Sequence, residues 1–377
     1  MINRRQFLTL SASVLFAGPT RLLRASSQPR LLSCWSDTDN RHYVSLLDPR
    51  GGSAFDVQLP ARGHGIAINQ QQKLAAVFAR RPGDFVCIIK LRDGKLIGII
   101  TATEGRHFYG HGVFTPDGQY LLCSENAFES GEGRIGLYDC RNGFQRVGAL
   151  PSHGIGPHEV KLLADGKTLV VANGGIKTHP DLPRIKTNLN TMKPNLAYLE
   201  TSSGGLLEKV EPPAKWHQLS IRHLDVAADN TVAVAMQYQG KPTERPPLIA
   251  IHRPGSKLTG SDFPGSSLQG SGLKLLTAPD RIQRKMKNYC GSVTFSHDNS
   301  RFAVSSPRGN LVTYWRIDGT YMGSHQQKDA CGISQHANGF FVSDGTGTIS
   351  LVKTDLSASD AISLTNHRWD NHMVSLL

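Results

Sequence analysis

Five histidines dominate the chemistry that this 377-residue sequence could perform. Each stands just ahead of a short apolar run: His64-Gly65-Ile66-Ala67-Ile68, His111-Gly112-Val113-Phe114, His158-Glu159-Val160, His223-Leu224-Asp225-Val226 and His372-Met373-Val374. Imidazole is the commonest protein ligand for transition metals, and neutral histidines gathered on a short radius would suit Fe, Cu or Zn. His107, His153 and His179 could add ligands or hydrogen-bonded support, and Glu125, Glu132 and Glu159 could add oxygen donors. Arg62, Arg80, Arg81, Arg106, Arg222 and Arg308 flank the same points. With His107 they form a candidate clamp for a carboxylate or phosphate, which the planar guanidinium fork grips through two hydrogen bonds. The plainer reading is that the histidines brace loops and the arginines pair with acids.

The elements that would position these residues come from an internal repeat. The first four histidine-led runs are each followed by a turn and a second apolar run, as in Asp117-Gly118 before Tyr120-Leu121-Leu122-Cys123 and Asp165-Gly166 before Thr168-Leu169-Val170-Val171. Asp-Gly and Asp-Asn between apolar runs mark β-hairpins, because these residues accept positive φ. Units start near residues 64, 111, 158, 223, 291 and 332, so most spacings suit a four-stranded propeller blade of ~40–50 residues. The two longer units carry insertions near Gly174–Pro194 and Pro254–Lys287, rich in loop-forming residues. A last unit is divided between the chain ends: the run from Asp370 to Leu377 supplies one strand, and Arg30–Leu59 supplies three. The sequence predicts an all-β, seven-bladed β-propeller over residues 26–377, closed by a blade shared between the termini, which removes exposed sheet edges. An eight-bladed ring and a two-domain β-sandwich array are the alternatives. In a propeller the first strand of each blade lines the central channel, so His64, His111, His158, His223 and His372 should converge at one mouth. Cys290 and Cys331 stand near the equivalent point of the other two units.

Residues 1–25 read as an export leader of the twin-arginine type. Arg4-Arg5-Gln6-Phe7-Leu8 opens an apolar run of about ten residues, too short for a bilayer span of ~20, and Leu23-Arg24-Ala25 offers a cleavage site. The expected location is the periplasm, with no transmembrane segment in the mature chain. Removing Arg4, Arg5, Arg21 and Arg24 lowers the formal charge from +12 to +8. The remaining basic residues are scattered without interleaved aromatics, which argues against nucleic-acid binding. The six cysteines contain no C-x-x-C pair, which argues against zinc ribbons and covalent haem; disulfides remain open in an oxidising compartment. Nucleophile-elbow, zincin, P-loop and Rossmann motifs are absent.

The motifs Arg62-Gly63-His64-Gly65, Gly105-Arg106-His107-Phe108-Tyr109-Gly110-His111-Gly112, Ser152-His153-Gly154-Ile155-Gly156-Pro157-His158-Glu159, Ser220-Ile221-Arg222-His223-Leu224 and Trp369-Asp370-Asn371-His372 resemble a bacterial family of twin-arginine-exported periplasmic propellers classified as a domain of unknown function. Genes of that family often lie beside imelysin-type iron-uptake proteins. The resemblance therefore implies a role in periplasmic iron or other metal handling and an iron-uptake protein as partner, and it supplies no catalytic residue. The favoured reading is a monomeric, non-enzymatic protein that binds metal or docks to such a partner. A metal-dependent hydrolase or oxidoreductase with its site at the channel mouth is a second reading, and a pure interaction scaffold a third.

Overall fold

The computed structural model describes residues 30–48, 52–182, 185–255 and 272–376. Residues 1–25, expected to be an export leader, and part of the second insertion lie outside the described residues. The strands form seven four-stranded antiparallel sheets, each in simple sequential order. Six blades begin on the inner strands Gly63–Asn69, Arg106–Phe114, Pro157–Leu162, Leu219–Val226, Ser292–Phe295 and Ala330–His336. The seventh joins Arg368–Leu376 to Arg30–Ser36, His42–Leu47 and Ser53–Leu59, as the divided unit predicted. Each inner strand touches the next around the ring, and Arg368–Leu376 touches Gly63–Asn69. The ring is therefore closed.

Local chemistry explains the hairpins. At the first turn of the second and third blades, Asp117 and Asp165 accept backbone N–H bonds from two residues onward, and Gly118 and Gly166 follow at positive φ. Asn230 and Asn299 take the same left-handed position in the fourth and fifth blades. The second strands are almost wholly buried, as in Leu74–Ala79 and Thr168–Asn173, whereas outer strands such as Leu96–Thr101 expose most residues. The apolar core therefore lies between neighbouring blades. Leu122 and Ile135 of the second blade pack on Val160, Leu169 and Val171 of the third, and Phe341 and Ile349 of the sixth pack on Leu31 and Trp369 of the seventh.

The second insertion, expected to be loop throughout, contains a short α-helix, Asp280–Lys285, which buries Ile282 against the fourth and fifth blades. All six cysteines are buried free thiols. Among the described residues no helix is long and apolar enough to cross a membrane.

Candidate metal centre

The five histidines converge. Their ring centroids lie 4.5–6.1 Å apart in nine pairings, although up to 308 residues separate them in sequence. Only the channel axis, where five blades meet, can bring them so close. His64, His111, His158 and His223 are buried, and His372 is partly so.

A common backbone device aims them inward. In each of the five blades the ladder pairing the strand that carries the histidine with its neighbour slips at the histidine. The slips lie between Gly63 and Ile66, Phe108 and Gly112, Pro157 and Val160, and Ile221 and His223, and opposite Ser33 and Trp35. Extra residues there form a β-bulge, which breaks the strict alternation of a strand and re-aims a side chain. The fifth blade pairs Ser292–Phe295 without a slip and contributes no histidine, whereas the sixth has the same slip between Ala330 and Ile333 and places Cys331 there.

Two glycines make room for the rings. A Cβ on Gly65 would lie 2.3 Å from the Gly110 carbonyl oxygen and 2.8 Å from His111 Nδ1. A Cβ on Gly110, whose φ is +95°, would lie 2.8 Å from His64 Cδ2. The glycine beside each histidine thus clears space for the histidine of the adjoining blade.

The hydrogen bonds fix the tautomers. His158 Nδ1 lies 3.0 Å from the Tyr109 carbonyl oxygen and His64 Nδ1 lies 2.8 Å from Asp370 Oδ1. Both oxygens can only accept, so each Nδ1 carries the proton and each Nε2 presents a lone pair. His223 Nδ1 meets Glu159 Oε2 at 3.2 Å, and Glu159 Oε1 lies 3.9 Å from His111 Nδ1. The Nε2 atoms of His111 and His372 are buried with no partner. A buried polar atom left unpaired costs ~1–3 kcal/mol, so two in one cluster point to a missing partner.

The electrostatics keep the rings neutral. Burial pushes all five imidazoles below their ordinary range; neighbouring histidines push His111 and His372 further, while Asp370 opposes the shift at His64. Burial alone would raise the Asp370 carboxyl, but the hydrogen bond from His64, with Arg62 and Arg80, holds it well below the carboxylate range. Burial raises Glu159 against the pull of Lys161.

Three overlapping trios place their donor atoms within 4.8 Å of one another: His64, His111 and His372; His64, His158 and His223; and His111, Glu159 and His223. Metal–nitrogen bonds of ~2.0–2.1 Å require donors ~3–4 Å apart, so binding asks for a contraction of about an ångström. The donor set fits a transition metal. The trio with Glu159 is the two-histidine, one-carboxylate set typical of non-haem iron, and the all-imidazole trios suit Zn and Cu as well. The contacts of His64 with Asp370 and of His158 with a backbone carbonyl are the outer-shell bonds that ligating histidines make.

Not all the sequence-predicted residues join. Glu125 is buried within its own blade by Arg106, Arg146 and Tyr138, and Glu132 is an exposed partner of Arg134, so Glu159 alone of the three reaches the ring. His153 bonds the Gly204 carbonyl oxygen. Arg106 is tied to Glu125 at 2.9 Å and lines neither cavity described next. Arg62 and Arg308 line a mouth cavity of about 690 Å³, and His107, His179 and Arg308 line a second of about 630 Å³. Arg80 belongs to both. A third cavity, of about 390 Å³, includes His111, Glu159, Lys161 and His372 in its walls. Arg222 is buried beside His223. Sequence reasoning missed Asp370 as a site residue; its one signal was its place two residues before His372 in the closing unit.

Fold and site together define a seven-bladed β-propeller with a buried histidine cluster on its axis. The chain belongs to the family described as "Protein of unknown function (DUF1513)", whose model matches residues 57–376. No curated protein matches it. Among solved structures it is similar to Kuenenia stuttgartiensis hydrazine synthase, at 12% identity and a TM-score of 0.60, covering 88% of this chain and 94% of that one. It is also similar to the Cps50 (Swd1) β-propeller domain of Myceliophteria thermophila, at 13% identity and a TM-score of 0.55, covering 89% and 97%. At such identities the likeness concerns the fold alone.

Proposed function

We propose that this protein is a metal-binding propeller whose centre is built from His64, His111, His158, His223 and His372, with Glu159 as a carboxylate donor and Asp370 as the residue that orients His64. The observation that carries the reading is the convergence of five imidazoles from five blades, with two Nε2 atoms left bare in the interior. A loop-bracing role would leave each ring bonded to its own loop; here the rings face one another across the axis. Protein-held Nδ1 protons on His64 and His158 present unprotonated Nε2 donors, the state that metal binding requires.

The twin-arginine-like start of the sequence supports a periplasmic place of action, and the resemblance to a family encoded beside iron-uptake proteins supports a role in iron or other metal acquisition. Binding or handing on metal, rather than turnover, is the favoured role. Elemental analysis of protein exported from its own leader, before and after loading with iron, copper and zinc, tests the reading. We expect about one metal per chain and its loss in the His111→Ala/His223→Ala double variant. Substoichiometric metal after loading with all three, together with a double variant altered only in stability, would refute it.

A further inference from the structure

Beside the histidines, one residue along the chain from His223, lies a group of cations that the metal reading does not use. Arg222 is 4% exposed, has no carboxylate partner among the described residues, and leaves its Nε buried and unbonded. It is the extra residue of its bulge: Ile221 pairs with Met236 and His223 with Ala235, leaving Arg222 opposite nothing. A buried guanidinium without a counter-ion costs several kcal/mol and is uncommon unless something pairs with it.

Two further arginines, the half-buried Arg81 and the exposed Arg308, add to the charge. Arg81 and Arg308 form no ion pair among the described residues, and both line the mouth. Each lies over an aromatic face, Arg308 at 4.3 Å from the centre of the Tyr289 ring and Arg81 at 5.8 Å from that of Tyr109. A cation–π contact of this kind helps to place a guanidinium without using up its N–H groups. Lys186 feels all three arginines and, among the described residues, bonds the neutral Gln239. The nearby acid Asp370 is already taken by His64, Arg62 and Arg80. Arg80, Arg81 and Arg308 thus line a 630 Å³ cavity, well within the ~300–1,000 Å³ that small organic ligands fill, and Arg222, which is not in its wall, adds its charge to theirs.

We propose that this mouth binds a small polyanion carrying two or more carboxylate or phosphate groups, one of which is gripped by Arg81 and Arg308 in the field of the buried Arg222. The anion supplies the counter-charge that Arg222 lacks among the described residues and takes hydrogen bonds from the Arg81 and Arg308 guanidiniums. This goes beyond the metal reading and stands without it, because none of these cations is a metal ligand.

Thermal unfolding and calorimetric titration of the metal-free full chain test the proposal, with citrate, pyrophosphate and inorganic phosphate as probes and sodium chloride at matched ionic strength as the control. At least one probe should raise the melting temperature in a dose-dependent, saturable way, with the response to citrate against pyrophosphate telling carboxylate from phosphate preference. Arg81→Ala and Arg308→Ala, both at the cavity wall, should each weaken binding about tenfold or more. Arg222→Met should weaken the anion-dependent shift while leaving the ligand-free protein at least as heat-stable, since it removes an unpaired buried charge. The His111→Ala/His223→Ala variant should still bind the anion, which separates this proposal from the metal reading. No shift beyond chloride for any probe, or binding undiminished in both cavity-wall variants, would overturn it.

Discussion

Asp370→Asn isolates the contribution of the outer shell to the centre. The carboxylate accepts on both oxygens: Oδ1 takes His64 Nδ1 at 2.8 Å and the Asn371 backbone N–H at 2.7 Å, and Oδ2 takes Arg62 Nε at 2.6 Å. An amide has one oxygen, so its NH2 must face one of these donors. If it faces Arg62, that side chain, 47% exposed, can swing to water, and the cost is the charge on the bond that remains. A bond to a charged group is worth ~1.5–3 kcal/mol and a neutral one ~0.5–1.5, so the loss of stability should be about 1–2 kcal/mol, with little added for the half-exposed Arg62 pair. If the NH2 faces His64, the imidazole must turn over its tautomer, and Nε2 ceases to be a donor to metal. Either way the ring loses the negative charge that makes it a better ligand, and outer-shell losses of this kind weaken metal binding about 10–100-fold. Competition against a chromophoric chelator measures the affinity, and His153→Ala, bonded to a distant carbonyl, is the control that should leave it unchanged. An Asp370→Asn variant that loses stability yet keeps wild-type metal affinity would show that His64 is not a ligand held by Asp370.

Gly65→Ala should perturb both the fold and the centre, because its Cβ would lie 2.3 Å from a backbone oxygen that cannot rotate away and 2.8 Å from His111 Nδ1. Overpacking of this order costs about 1–3 kcal/mol, so a lowered melting temperature with reduced metal content is expected, and an unchanged value for both would contradict the described packing. The metal-free protein should lose stability as pH falls from 7 to 5. Its five buried histidines have folded pKa values below the ordinary 6.5, so below that pH the unfolded chain binds more protons, and each histidine contributes up to about 1.4 kcal/mol per pH unit. The Asp370 shift acts only below its ordinary 3.8, outside this window. Denaturant midpoints flat across pH 7 to 5 would show that the rings are not buried neutral.

The five ring histidines were legible because the repeat places them at one point of the blade, and a propeller maps equivalent positions onto one circle. The closing blade was legible for the same reason, as one strand before the chain end complements three at the start. What holds the rings in place was not. The bulges arise from register slips of one or two residues, and a strand sequence carries no mark of which residue its partner skips. Asp370 serves His64 across 306 residues, a relation that exists only once the ring is closed. Arg106 misled because its neighbour His107 faces the mouth; adjacent residues on a strand point to opposite faces, and Arg106 turns to Glu125 within its own blade. Arg222 looked like any other arginine beside a histidine, and its burial without a counter-ion depends on its place in a bulge.

X-ray absorption at the metal edge of protein purified with its natural metal tests the central claim most directly. The account predicts about one metal per chain, bound by three or more imidazoles at ~2.0–2.1 Å with at most one carboxylate oxygen, and loss of that signature in His111→Ala/His223→Ala. A metal-free protein that takes up none on loading, or a spectrum with no imidazole scattering, would contradict it.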